Sequence, residues 1–92
     1  MLFLKDRHAR LDYRVDWAAM CGDGRTIASS EWRLEPSAGG GVLIVGSDVE
    51  GTSTRVWIEG GRDGEVVALV NHVAFSDGSI DERSVTVRVG ER

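Results

Sequence analysis

Apolar and charged residues alternate without interruption between positions 11 and 17, and this alternation limits the folds open to the chain. Successive side chains of a β-strand point to opposite faces, so the pattern predicts a strand with one buried and one solvated face. Charged residues that resemble catalytic groups are then explained as the wet face of a sheet. The apolar positions are Leu11, Tyr13, Val15 and Trp17, and the charged positions are Asp12, Arg14 and Asp16.

Turn residues divide the rest of the chain into further segments of similar texture. Glycine-rich and Asp-Gly stretches separate these segments, and Pro36 ends one of them. The series predicts an all-β fold, a two-sheet antiparallel sandwich of about six or seven strands. With 92 residues the chain is predicted to be one domain, residues 1–92, with residues 1–10 as an N-terminal arm. The predicted strands are 11–17, 26–35, one through 42–45, 53–59, 65–75 and 79–90.

Alternation also assigns large side chains to the core or to the surface. Trp32 is predicted to face inward on the same side of its strand as Ala28, whereas Trp57 is a large aromatic residue on a charged face. The run Val42–Val45 is continuously apolar, which is typical of a strand covered on both faces or packed at an interface, and periodicity does not decide between them. The predicted core consists of Leu11, Tyr13, Val15, Trp32, Val56, Ile58, Leu69, Val85 and Val87.

The final hairpin has two conceivable registers. A two-residue Asp77-Gly78 turn would send Leu69 and other large side chains outward. A three-residue loop with Gly78 in the left-handed conformation buries the larger apolar set, so we predict that register. The predicted pairs are Val67 with Val87, Leu69 with Val85, Val70 with Ser84 and His72 with Glu82.

Composition and charge narrow the classes of function. The net charge of −4 argues against nucleic acid as a partner, because phosphate binding needs clustered lysine and arginine. The apolar runs are shorter than a membrane helix needs, and no signal peptide is visible, so we expect synthesis in the cytoplasm without a membrane partner. The single cysteine, Cys21, has no internal disulfide partner, so the fold depends on packing or on oligomerisation.

No motif for catalysis or for a cofactor is present. His8, His72 and Cys21 stand in three separate contexts, which favours no metal site. Asp12 and Asp16 share a strand face with Arg14 between them, which is typical of a solvated face, and residues 77–81 are simplest as a turn. No serine has a placeable histidine and acid beside it. We therefore predict a protein that is not an enzyme and that has no cofactor.

Short strings along nearly the whole chain resemble the small fibre-tail adaptor proteins of tailed bacteriophages. The chain departs from the pattern at Arg7, where a proline is expected, and at Val67, where an aromatic residue is expected. The matching strings are Leu4-Lys5-Asp6, Leu11-Asp12-Tyr13, Asp16-Trp17, Ile27-Ala28-Ser29-Ser30 with Trp32, Val56-Trp57-Ile58 with Gly60-Gly61, and Asn71 with Asp81-Glu82-Arg83-Ser84.

The resemblance implies an immunoglobulin-like or fibronectin-III-like β-sandwich that serves as a structural virion component. Such a protein joins tail or fibre parts of a phage or prophage, with tail, portal or fibre proteins as partners, in several copies within a symmetric assembly. It is made in the bacterial host cytoplasm and ends in the virion. Because a sandwich serves many functions, a surface- or carbohydrate-binding module and a capsid decoration protein stay open as alternatives.

Four residues are candidates for a protein interface. The arm carries Leu2, Phe3 and Leu4, three large apolar residues several positions before the first long strand. We expect the arm to lie outside the sandwich core and to add to a sheet edge of a neighbouring subunit or partner. Trp57 is the fourth candidate. Trp17 and Trp32 are already explained as core residues, whereas Trp57 either covers a sheet edge or anchors a partner.

Overall fold

The computed structural model describes residues 2–6, 8–22, 24–36 and 40–90. It contains seven β-strands, and a 3₁₀ turn, Ala18–Met20, follows the second strand. The predicted all-β class and the number of strands are confirmed. The strands are β1 (Leu2–Lys5), β2 (Leu11–Asp16), β3 (Ile27–Glu35), β4 (Val42–Glu50), β5 (Ser53–Gly60), β6 (Val66–Phe75) and β7 (Ile80–Val89).

The strands form two sheets that pack face to face. One sheet has the order β1-β7-β6-β3 and the other has the order β2-β5-β4. Neighbours are antiparallel apart from β1 and β7, which run parallel. In an immunoglobulin constant-type sandwich the third, sixth and seventh strands share one sheet and the second, fifth and fourth share the other. These six strands have that partition here, whereas β1 joins the sheet of β7.

Alternation in the sequence explains where the core lies. The inward residues of both sheets meet in a large cluster that includes Tyr13, Val56 and Leu69, and a second cluster surrounds Trp17 and Phe75 at one end. Of the predicted core, six residues are buried, and Leu11, Trp32 and Val85 are half-buried against the clusters. The six buried members are Tyr13, Val15, Val56, Ile58, Leu69 and Val87.

A β-bulge changes the face of one predicted inward residue. The pairing of β3 with β6 shifts between Ile27 and Ser29, so that Ile27 packs on the core while Ala28 is exposed. The expectation that Ala28 shares a face with Trp32 is therefore wrong. An extra residue in one strand reverses the side-chain alternation beyond it, and simple periodicity has no means of placing such a residue.

The apolar run 42–45 lies on β4, at the edge of the three-stranded sheet. Val42 is buried and Ile44 is half-buried, whereas 60% of Leu43 and 41% of Val45 is exposed to solvent. The strand is therefore not covered on both faces. The alternative, that this run packs at an interface, stays a prediction.

The final hairpin has the predicted register. Val67 pairs with Val87 and Leu69 with Val85, and the Phe75 N–H donates to the Ser79 carbonyl across the three-residue loop at 2.8 Å. Gly78 closes this loop with a φ of 89°.

We expect Gly78→Ala to cost about 1–2 kcal/mol, because a residue with a Cβ adopts the left-handed conformation at that cost. A Cβ at this position meets no atom within 4 Å, so the backbone conformation alone carries the penalty. Gly22→Ala is the matched control, since Gly22 is equally uncrowded and its φ lies outside the left-handed range. Urea unfolding measures both variants, and equal stability of the two would contradict the prediction.

A buried amide joins the two sheets. Asn71 on β6 is fully buried, and its Oδ1 accepts hydrogen bonds from Trp17 Nε1 at 3.0 Å and from Thr54 Oγ1 at 2.6 Å. Its Nδ2 donates to Ser30 Oγ at 2.9 Å and to the Glu31 carbonyl at 3.1 Å. Both donors and both acceptor positions of the amide are therefore used, which is what a polar group in a core requires.

Candidate functional site

Trp57 lies in the middle of the outer face of the three-stranded sheet. It occupies the central strand β5, opposite Asp12 of β2 on one side and Gly46 of β4 on the other. An ideal Cβ placed on Gly46 would lie 3.6 Å from the indole ring, so the ring is close to bare backbone. The side chain is half-buried. The predicted outward orientation of Trp57 is therefore what the structure shows.

Arg55 fixes the surroundings of this indole. Its guanidinium carbon lies 4.4 Å from the ring centroid of Trp57, which is a cation–π geometry. The same group donates to Asp48 Oδ2 on β4 at 2.9 Å, and this hydrogen bond raises the pKa of Arg55. One face of the indole is thus covered by a guanidinium that is itself bound to Asp48.

The N-terminal arm takes a different place from the one expected. Residues 2–5 form β1, which pairs in parallel with residues 86–89 of β7 in the same chain. The arm backbone is therefore an edge strand of the four-stranded sheet, and the expectation that the arm lies outside the sandwich is corrected. Open main-chain groups at the edge of β7 offer the arm hydrogen bonds within its own fold, and no sequence period reports such pairing.

Lys5 holds this edge strand in place. It is fully buried, and its Nζ donates to the Gly60 carbonyl at 2.6 Å and to the Asp6 carbonyl at 2.8 Å. Burial lowers the pKa of this amine, while the nearby carboxylates Asp6, Glu59 and Glu65 oppose the shift. A lysine in this position ties β1 to the end of β5. The sequence reasoning missed it, because a lysine after three apolar residues reads as an exposed end of a strand.

Two of the acids considered as chemical groups, Asp16 and Asp77, are engaged in local structure. Asp16 Oδ1 accepts the Ala18 N–H at 2.9 Å, and Asp77 Oδ1 accepts the Ser79 N–H at 3.0 Å. Hydrogen bonds from the Ser79 hydroxyl, at 2.6 Å, and then from the Ser79 N–H lower the pKa of Asp77, consistent with the predicted turn. Among residues 2–6, 8–22, 24–36 and 40–90, no three histidine, cysteine, aspartate or glutamate side chains come together as a metal site.

A charged cluster occupies the outer face of the other sheet. Arg33 donates to both oxygens of Glu82, at 2.9 and 3.3 Å, and His72 Nδ1 lies 2.8 Å from Glu82 Oε2. The His72–Glu82 pair was predicted from the hairpin register, whereas Arg33 of β3 was not. Hydrogen bonds from Arg33 and then from His72 lower the pKa of Glu82 from 4.5 to about 2. The cluster fastens β3 to β7 across β6.

This cluster predicts a pH dependence of stability. A carboxylate whose pKa is depressed by folding stabilises the protein above its unfolded pKa, and this contribution is lost as the pH falls through the folded value. We therefore expect part of the wild-type stability to vanish between about pH 5 and 2, and that part to be missing in Glu82→Gln. Urea unfolding across this range measures the difference between the two proteins.

Arg33→Gln is the control for the source of this effect. It removes the largest cause of the lowered pKa of Glu82, so the pH dependence of its stability should resemble that of Glu82→Gln. Combining the two substitutions should cause little further loss of stability. A Glu82→Gln protein that loses stability with acid as steeply as the wild type would overturn this assignment.

Comparison with known proteins identifies a family that the chain matches. In the part of the chain that the structure describes, no helix has the length and apolar character for crossing a membrane. None of the curated proteins compared with the chain matches it. Residues 5–88 match the model of the family described as "Podophage GP4 fiber-tail adaptor protein gp77". The matched span runs from the buried lysine of β1 to the next-to-last residue of β7.

Proposed function

Because the chain belongs to the podophage GP4 fiber-tail adaptor family, we propose that it is a structural virion protein that joins tail and fibre parts of a tailed phage or prophage. The observation that carries this proposal is the family match, which extends over residues 5–88 and so includes all or part of every strand. The partners are then tail, portal or fibre proteins. Neither nucleic acid nor membrane is needed as a partner for this role.

The surface chemistry of the domain supports a connector without catalysis. The charged side chains Arg33, Arg55 and Glu82 are held in ion pairs on sheet faces, so they are already used within the fold. Virion tails are symmetric, so the protein is used in several equivalent copies.

We assign the contact with a partner to the Trp57 face and to the folded N-terminal strand that carries Leu2, Phe3 and Leu4. A half-buried tryptophan on the outer face of a sheet has the character of an interface anchor. The carbohydrate-binding alternative gains no support, because the guanidinium of Arg55 already lies over the one aromatic ring assigned to this face. A sugar ring would have to displace that cation from the indole.

Phage particles produced without this protein test the adaptor role directly. We expect assembled heads and tails that lack fibres or bind them at reduced occupancy, visible by electron microscopy, with rescue when the protein is supplied from a plasmid. Particles with a full set of fibres in its absence would refute the proposal. Purified wild-type particles should also contain the protein in a fixed ratio to the tail proteins.

The Trp57→Ala variant tests the proposed anchor. Removal of an interface tryptophan typically costs about 2 kcal/mol or more of binding energy, or about a 30-fold weaker contact. We therefore expect the variant to fold but to be depleted from purified particles, as measured by quantitative mass spectrometry. Trp57→Phe keeps a ring over Gly46 and should retain part of the incorporation. Normal incorporation of Trp57→Ala would exclude this residue as an anchor.

A further inference from the structure

The four edge strands of the sandwich differ in how well they resist pairing with another chain. Natural edges are protected by shortness, by charged side chains or by bulges. The β1 edge has four residues, and β2 and β3 display alternating charges on exposed positions. The charged residues are Asp12, Arg14 and Asp16 on β2 and Glu31, Arg33 and Glu35 on β3. Three of the four edges are therefore closed to strand addition.

β4 is the least protected of the edges that the structure describes, although it has a β-bulge between Ile44 and Gly46 and carries Asp48 and Glu50 in its second half. It has nine residues and pairs with β5 on one side, so alternate N–H and C=O groups point away from the sheet. Exposed fractions of its large apolar side chains are 60% for Leu43, 41% for Val45 and 45% for Val49. In the described chain only Val66 and Ile80 are comparable, and each stands alone at the start of its strand.

An apolar groove runs beside this open edge. Its volume is about 650 Å³, and it lies where the edges of β3 and β4 approach each other. Leu34 lines it from β3 between the charged residues Arg33 and Glu35, while Val42, Leu43 and Ile44 line it from β4. A strand added to β4 would therefore find main-chain hydrogen bonds along the edge and apolar pockets for alternate side chains.

The charges of β4 indicate what kind of strand fits. The second half of β4 carries Asp48 and Glu50, and the strand contains no lysine or arginine. A second copy pairing β4 with β4 around Gly46 would place Asp48 opposite Ile44 and Glu50 opposite Val42, so neither acid would gain a cation beyond the Arg55 that already binds Asp48 within the chain. The net charge of −4 adds repulsion between copies. The complementary partner is a strand that is apolar in one half and basic in the other.

We infer that β4 is the docking edge of this adaptor and that it receives an extended segment of a virion partner by β-strand addition. The segment places apolar residues against Leu43 and Val45 and lysine or arginine against Asp48 and Glu50. This inference rests on the proposed function for the identity of the partner as a virion protein. The Trp57 face adjoins this edge through Gly46, so both belong to one continuous surface.

A synthetic peptide tests the strand addition. The probe is an eight-residue peptide with lysines in its N-terminal half and valine and isoleucine in its C-terminal half, which is the antiparallel complement of β4. We expect saturable NMR shifts and slower hydrogen exchange for β4 amides. A peptide with glutamate in place of lysine should bind at least about tenfold more weakly than the lysine peptide. A peptide N-methylated at alternate amides should not bind, because its main-chain donors are removed.

Equal binding of the N-methylated peptide, or shifts centred on β1, β2 or β3, would overturn the inference. Leu43→Lys supplies the matched protein variant, because a lysine is the natural protection of an open edge. Ile80→Lys is its control, since Ile80 is 65% exposed and lies on the other sheet. We expect Leu43→Lys to lose peptide binding and Ile80→Lys to keep it.

The same pair of variants in phage particles separates the inference from the function on which it rests. Absence of the wild-type protein from purified particles would refute the adaptor role itself. Wild-type protein in particles, together with normal incorporation of Leu43→Lys, would refute the β4 edge alone. The inference requires that Leu43→Lys be absent from purified particles while Ile80→Lys is present. Circular dichroism should show that the wild type and both variants are folded.

Discussion

Replacement of Trp17 by alanine is expected to cost about 3–5 kcal/mol, the typical range for a buried tryptophan, and to leave much of the protein unfolded. Trp17 is fully buried and packs edge-to-face on Phe75, with ring centroids 5.9 Å apart. The guanidinium of Arg83 covers its outer face at 4.6 Å, and its indole N–H donates to Asn71. Trp17 is the largest buried side chain of the second core cluster, so its removal leaves a large cavity.

Urea unfolding followed by circular dichroism measures the loss, with Trp57→Ala as the matched control. Both variants remove an indole, but Trp57 lies on the outer face of a sheet, so its removal should cost much less. Trp17→Phe should fall between them, because it keeps most of the packing and loses only the hydrogen bond to Asn71. Similar losses for Trp17→Ala and Trp57→Ala would mean that the second cluster contributes little to stability.

Local alternation was sufficient to predict much of this fold. The faces of β2 and β5, the loop at Gly78 and the Val67–Val87 register follow from side-chain period and from turn chemistry, which depend on residues close in sequence. Trp57 was placed outward by the same reasoning. These predictions succeeded because each required only a choice between two orientations of a strand, and only one orientation buries the larger apolar residues.

Contacts between distant segments were beyond this reasoning. The pairing of β1 with β7, the bulge at Ala28 and the burial of Lys5 depend on which strands become neighbours, which periodicity does not report. The open edge of β4 likewise follows from sheet order. Periodicity leaves the apolar run 42–45 either covered on both faces or packed at an interface, and excluding the first alternative required the topology.

The central amide was missed although the sequence contained a signal for it. Asn71 stands at an inward position between Leu69 and Val73, so alternation alone places a polar residue in the core. A buried polar group needs partners for all its donors and acceptors, and these come here from Trp17, Thr54, Ser30 and the Glu31 carbonyl. A polar residue at a core position is therefore a sign of a hydrogen-bond network to be sought across the sheets.

We expect Asn71→Asp to destabilise the protein by about 3 kcal/mol or more at pH 7, because it buries a charge and removes the two donors to Ser30 and Glu31. The new carboxyl has an ordinary pKa of about 3.9, and burial raises this value in the folded state. The destabilisation caused by the buried charge is therefore complete at pH values above the pKa of this carboxyl in the folded state. It decreases as the pH falls toward the pKa of the same carboxyl in the unfolded state. Urea unfolding of the wild type and of Asn71→Asp from pH 7 to 4 measures the difference between their free energies of unfolding.

Asn71→Ala separates the charge from the lost hydrogen bonds. It also leaves Trp17 Nε1 and Thr54 Oγ1 without their shared acceptor, so we expect a loss of about 2–4 kcal/mol, whose gap to the wild type stays constant with pH. Only the stability difference between Asn71→Asp and the wild type should become smaller at acidic pH. If both gaps keep the same size from pH 7 to 4, the substituted carboxyl is hydrated rather than buried, and Asn71 does not sit in a closed network between the sheets.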